Sequence, residues 1–223
     1  MSKNILFPIF FFIFFLLIPK SSSGEEKKFY LTGSGGVGWL KDQDVNINSA
    51  YVSSFGEKVI DEFNSDLYFE VGVGYDFGKI RMEGTFSQGD NDLAKATTVG
   101  QNTYTEWTKG TVTNKAWNLG FYYDFKSHKK FTPYIGGGIG NTTLNVIDVV
   151  EKWNDESSPT TGPFETYTKT SYFGKVGMSY KMNPSSDLFL EGTYRTIGDV
   201  KRIVGTYPSP KTYGFNIGLR YRY

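Results

Sequence analysis

The end of the chain constrains the fold more than any other stretch. In Tyr213-Gly214-Phe215-Asn216-Ile217-Gly218-Leu219-Arg220-Tyr221-Arg222-Tyr223, every odd position is apolar or aromatic, and every even one is small, polar or charged. Successive side chains of a strand point to opposite faces. The segment therefore reads as a strand with one wholly apolar face, running to the last residue. Chain ends fray unless they are tied down. A sheet that closes on itself, last strand against first, would tie this one down.

The same two-faced pattern recurs along the chain. From Asp66 to Phe77, Leu67, Phe69, Val71, Val73, Tyr75 and Phe77 oppose Tyr68, Glu70, Gly72, Gly74 and Asp76. Gly78-Lys79 makes a tight turn. Ile80, Met82, Gly84 and Phe86 then oppose Arg81, Glu83, Thr85 and Ser87. Further strands are expected at Thr113–Phe125, Phe131–Val146, Lys169–Met182 and Asp187–Thr196. With Phe29–Leu40 and the terminal segment the count is eight. Polar stretches separate some of them: Lys41–Ser65, Gln88–Thr111, Asp148–Tyr167 and Ile197–Lys211. Within the first, Ala50–Phe63 reads as a short helix.

The connections alternate. Long ones follow strands one, three, five and seven; short ones (Gly78-Lys79, Lys126–Lys130, Asn183–Ser186) follow two, four and six. Transmembrane barrels have this rhythm, with short periplasmic turns and long extracellular loops. Alternation alone does not say which face is inside, because a soluble barrel would turn its apolar face inward. Three features decide. Glycines gather on the polar face, as the narrow interior of a small barrel requires. The apolar face carries essentially no charge. Aromatics recur near strand ends, at Tyr75, Phe77, Tyr123, Phe125, Phe131, Tyr180, Tyr221 and Tyr223, as an interfacial girdle does. The expected fold is all-β: an eight-stranded antiparallel transmembrane β-barrel with short periplasmic turns and four long extracellular loops.

The first residues read as an export signal. Lys3 precedes an apolar run from Ile5 to Ile18, too short for a spanning helix, and Pro19 breaks it. Ser21 to Gly24 offer small residues for cleavage. Residues 1–24 are therefore taken as a signal peptide and 25–223 as the barrel domain.

Other chemistries find little support. A net charge of +1 points to no nucleic-acid partner, and the absence of cysteine removes thiolate nucleophiles and thiolate metal sites. Gly33-Ser34-Gly35-Gly36-Val37-Gly38 matches the dinucleotide-binding pattern literally. That motif needs a helix next, and Lys41-Asp42-Gln43-Asp44 follows instead. Glycines on a curved strand are the better account. The one histidine, His128, stands among Lys126, Lys129 and Lys130 in a short turn, which suits solvent rather than a catalytic triad. No cofactor or metal is called for.

The barrel segments and the aromatic terminal strand resemble the eight-stranded bacterial outer-membrane β-barrel superfamily, which includes the OmpA-type transmembrane domain and the porin-family surface antigens. The Pro133-Tyr134-Ile135-Gly136-Gly137-Gly138-Ile139-Gly140 strand is the other specific part of the likeness. The resemblance implies an outer-membrane location and contact with membrane lipid and lipopolysaccharide. It also implies delivery to the barrel-assembly machinery through the terminal strand. No peptidoglycan-binding domain follows Tyr223, so a cell-wall anchoring role is not expected.

Two sets of residues are candidates for function. The polar faces place Glu70, Arg81, Glu83, Lys175, Glu191, Arg195 and Arg220 in the lumen, with Asp76, Asp124 and Arg222 near the periplasmic end. Buried charges must pair, so these should form an ion-pair network, either a static plug or a gate. The loops carry Tyr51, Tyr104, Trp107, Trp153 and Tyr207, candidates for contact with an extracellular ligand. The expected role is non-enzymatic: a structural or adhesive surface protein. The alternative is a narrow pore for ions or small solutes.

Overall fold

Alternation of apolar and polar residues produces strands almost throughout. A computed structural model describes residues 29–52, 58–99, 105–125, 130–153, 160–161, 165–201 and 205–223. The expected signal peptide, 1–24, and His128 lie outside the described residues. In chain order the strands are β1 (Phe29–Leu40), β2 (Gln43–Ile47), β3 (Lys58–Phe63), β4 (Asp66–Asp76), β5 (Ile80–Val99), β6 (Thr105–Asp124) and β7 (Phe131–Trp153). They continue with β8 (Thr160–Thr161), β9 (Glu165–Asn183), β10 (Ser186–Ile197), β11 (Val200–Lys201), β12 (Gly205–Tyr207) and β13 (Lys211–Arg222).

Eight of these form a closed antiparallel ring in the order β1, β4, β5, β6, β7, β9, β10, β13. The ring closes through β1 and β13, paired from Tyr30↔Arg222 to Leu40↔Thr212. The terminal Tyr223 adds a backbone bond of 3.2 Å to the Phe29 carbonyl. Closure leaves the ring no open edge, which a lipid environment requires.

Burial gives the orientation of the two faces. Leu67 is 77% exposed and Trp117 70%, whereas Arg81 is fully buried and Lys175 is 3% exposed. A soluble barrel would show the reverse. The outward face is a hydrocarbon-facing band bounded by aromatics. Phe29, Tyr75, Phe77 and Tyr223 group at the periplasmic end, and Trp39, Tyr194 and Tyr213 at the other.

Inside, large rings lie opposite glycines on neighbouring strands. Tyr30 pairs with Gly74 and Tyr122 with Gly136. A Cβ at Gly74 would sit 2.2 Å from the Tyr30 ring, and one at Gly136 the same distance from the Tyr122 ring. Only glycine lets each ring lie flat across the adjacent strand, which is how so narrow an interior accommodates tyrosines.

The long connections hold more strand than the sequence pattern foretells. β5 runs on to Val99, β6 starts at Thr105 and β7 reaches Trp153. The expected Ala50–Phe63 helix is not formed: Ser49–Tyr51 is a short 3-10 turn and Lys58–Phe63 is β3. β3 pairs with upper β5, β2 with β3, β12 with β2 and β11 with β12. These four continue the wall upward on the side formed by β10, β13, β1 and β4. Above the membrane neither face needs to be apolar, so the alternation that marks the lower strands fades. The Val59-Ile60 pair in β3 is too short to distinguish helix from strand by pattern.

Candidate functional site

The inward parity of the eight strands brings charged side chains into a space only just wide enough to hold them. At the periplasmic end, Arg81 is the centre. Its Nε donates to Asp124 Oδ2 at 2.8 Å, and its Nη1 donates to Glu83 Oε1. The rings of Tyr122 and Tyr134 each lie 4.9 Å from its guanidinium carbon, adding cation–π contact. Tyr30 Oη donates to Glu83 Oε1 at 2.8 Å. Arg220 lies 3.8 Å from Glu83 and 3.5 Å from Asp187, and Arg222 lies 2.7 Å from the same Asp187.

At mid-height, Lys175 stands between two carboxylates. It pairs with Glu70 and lies 2.9 Å from Glu191 Oε1. Two tyrosines complete the set: Tyr68 Oη donates to Glu70 Oε2 at 3.2 Å, and Tyr134 Oη to Glu191 Oε2 at 3.0 Å. Tyr134 thus joins the two levels, its ring against Arg81 and its hydroxyl on Glu191.

Above these, Arg195 Nη1 donates to Asn118 Oδ1 at 2.6 Å, with Ser171 Oγ at 3.3 Å and Thr142 Oγ1 at 3.4 Å. One step higher, Leu144, Ile197 and Val200 pack together, with Val112, Tyr167 and Tyr207 against them. The lumen therefore carries ion pairs below, neutral polar groups above them, and an apolar cluster at the top.

A model of the outer membrane protein β-barrel domain family matches residues 9–223. The chain belongs to this family. It is a bacterial outer-membrane protein, as are solved structures that share its fold. Neisserial surface protein A has a TM-score of 0.53 at 14% identity, with 87% of this chain and 97% of that one covered. OprG from Pseudomonas aeruginosa has 0.52 at 15%, with 90% and 99% covered. The outer membrane protease OmpT from Escherichia coli has 0.53 at 9%, with 92% and 99% covered. Likeness at such identities is a likeness of fold. Because one of these barrels is a protease, the fold by itself assigns neither an enzyme nor a non-enzyme. A sequence comparison with curated proteins finds no match.

Within this family barrel, six of the seven lumen residues named from sequence meet in ion pairs: Glu70, Arg81, Glu83, Lys175, Glu191 and Arg220. Arg195 does not join them. Among the described residues its partners are neutral, because β10 carries it past the level of the carboxylates. Asp187 was missed, although its parity on β10 matches that of Glu191 and it directly opposes Arg220. The tyrosines that hold the carboxylates were missed as well; Tyr30, Tyr68 and Tyr134 share the inward parity and could have been found by it.

The loop aromatics fare differently. Tyr104 lies outside the described residues. Trp107 and Trp153 fall on paired strand, opposite Glu151 and Thr105 respectively, rather than on loops. Tyr207 is not a free contact residue: it is half-buried against the apolar cluster, and its Oη donates to Asp61 Oδ2 at 3.0 Å. The hydroxyl that a surface contact would use is spent joining β12 to β3, and the ring on the apolar cluster.

Proposed function

We propose that this is a closed, non-enzymatic outer-membrane barrel that acts through its extracellular face as a structural or adhesive surface protein. The observation that carries the reading is the filling of the lumen. Lys175 stands between Glu70 and Glu191, and the Leu144–Ile197–Val200 cluster lies above. Removing one member of a buried pair typically costs ~3–5 kcal/mol, so a path through this level is expensive to open. The extended upper wall raises a built surface above the membrane, and surface loops and their supports commonly carry binding.

The rival reading, a narrow pore, requires Lys175 to leave both carboxylates and the apolar cluster to part. The test of the adhesive reading is attachment. Cells producing the barrel are expected to attach to one another or to a surface better than cells lacking it. Trp107→Ala with Trp153→Ala should reduce attachment while the protein still reaches the surface and shifts on an unboiled gel. Equal attachment with and without the barrel would rule the adhesive role out.

A further inference from the structure

Four of the lumen cations, Arg81, Lys175, Arg220 and Arg222, each meet a carboxylate. Arg195 is buried at 3% exposure, and among the described residues it meets none. Its Nη1 is spent on the neutral oxygens of Asn118, Thr142 and Ser171. Its Nη2 is buried and has no hydrogen-bond partner among the described residues. Two positions earlier on the same face of β10, Thr193 Oγ1 is also buried and, among the described residues, unpartnered.

Both residues line one small cavity in the upper lumen, together with Tyr68, Asn91 and Asn114. The cavity has room for about one water-sized occupant. The Phe173 ring lies 5.5 Å from the Arg195 guanidinium carbon, but a buried guanidinium without a carboxylate is costly, and a counter-charge is the remedy. The carboxylates at mid-height are engaged with Lys175 and two tyrosines. Asp90 also borders the cavity, and its Oδ1 is likewise buried without a hydrogen-bond partner, but it stands on the outward parity of β5 and among the described residues forms no ion pair with Arg195. A guanidinium and a hydroxyl on residues lining a water-sized space favour a small, spherical anion over a carboxylate or phosphate ester, which would not fit.

We propose that Arg195 Nη2 and Thr193 Oγ1 hold a halide-sized inorganic anion in the upper lumen, which completes the charge pairing of the barrel interior. The site does not depend on what the outer face meets.

The test uses the barrel purified from outer membranes. Its unfolding midpoint is read from the unboiled-to-boiled gel shift at constant ionic strength, in sodium chloride or bromide and in sodium gluconate. A ligand that binds only the folded state raises stability with the logarithm of its concentration. The midpoint should therefore rise as halide replaces gluconate, and Arg195→Gln should erase the dependence. Should Arg195→Gln fail to fold, crystals of the unmodified barrel grown in bromide supply the second readout. An anomalous peak is then expected within hydrogen-bond distance of Arg195 Nη2. Equal midpoints in halide and gluconate would overturn the proposal. So would a halide effect that survives Arg195→Gln, or bromide found only elsewhere. A stabilisation that follows the cation at fixed halide would point to Asp90 and overturn it too.

Discussion

Arg81 shows what a buried charge requires. It is fully buried, yet two carboxylates and two tyrosine rings surround it. Replacing it with methionine keeps much of the volume and leaves Glu83 and Asp124 short of their partner. Arg81→Met should therefore lower folding stability by about 3–5 kcal/mol, measured by urea unfolding in lipid vesicles. Adding Asp124→Asn should recover part of the loss, because one stranded charge is removed; no recovery would mean that the pair is not coupled. At this scale, legibility followed parity. Strict alternation put Arg81, Glu83 and Lys175 on the inward face directly from the sequence. Who pairs with whom was not readable, because Lys175 and Glu70 are 105 residues apart and meet across the lumen. Only the stagger of the closed ring sets that meeting.

At the scale of the strand, β13 carries the sharpest division of labour. Ile217 faces out at 52% exposure, while its neighbours Asn216 and Gly218 face in. A charge on the lipid side near mid-strand costs about 2–4 kcal/mol. Ile217→Arg should show a loss of that size by unfolding in vesicles; an unchanged midpoint would place this face away from lipid. Outside the membrane, the segment between β10 and β13 has its own device. Ser209 holds a positive φ of 39°, uncommon without glycine. Asp199 Oδ1 accepts its N–H at 2.9 Å and its hydroxyl at 3.0 Å. The backbone bond first, then the hydroxyl, hold the Asp199 carboxyl below its ordinary value. The sign follows: the bonds stabilise the turn above the ordinary carboxylate range of about 3.9, and the effect is lost as pH falls through the lowered value. Protection of the Ser209 amide, measured relative to the intrinsic exchange rate at each pH, should therefore be high near neutrality and fall at low pH. Asp199→Asn should weaken that pH dependence, and protection that is flat with pH would remove Asp199 from the account. The upper strands β2, β3, β11 and β12 were not legible, since beyond the membrane no solvent change forces alternating faces. The lower ones were, because lipid on one side and packed charge on the other leave a strand no alternative pattern.

For the whole molecule, closure is the organising property. The ring closes through β1 and β13, the lumen is filled by ion pairs and tyrosines, and an apolar cluster lies above. The eight-strand count and the long-short alternation of connections were readable because each is a property of the chain order. The filling of the lumen was not, because it depends on rings such as Tyr30 and Tyr122 lying over glycines on the next strand. The most direct test of closure is conductance. The purified barrel, shown to be folded by its gel shift, is inserted into a planar lipid bilayer and current is recorded under voltage. A barrel closed in this way gives no discrete steps. Discrete steps that Glu83→Gln or Arg195→Gln alters or abolishes would mean that the lumen charges line a path, and the closed reading would be contradicted.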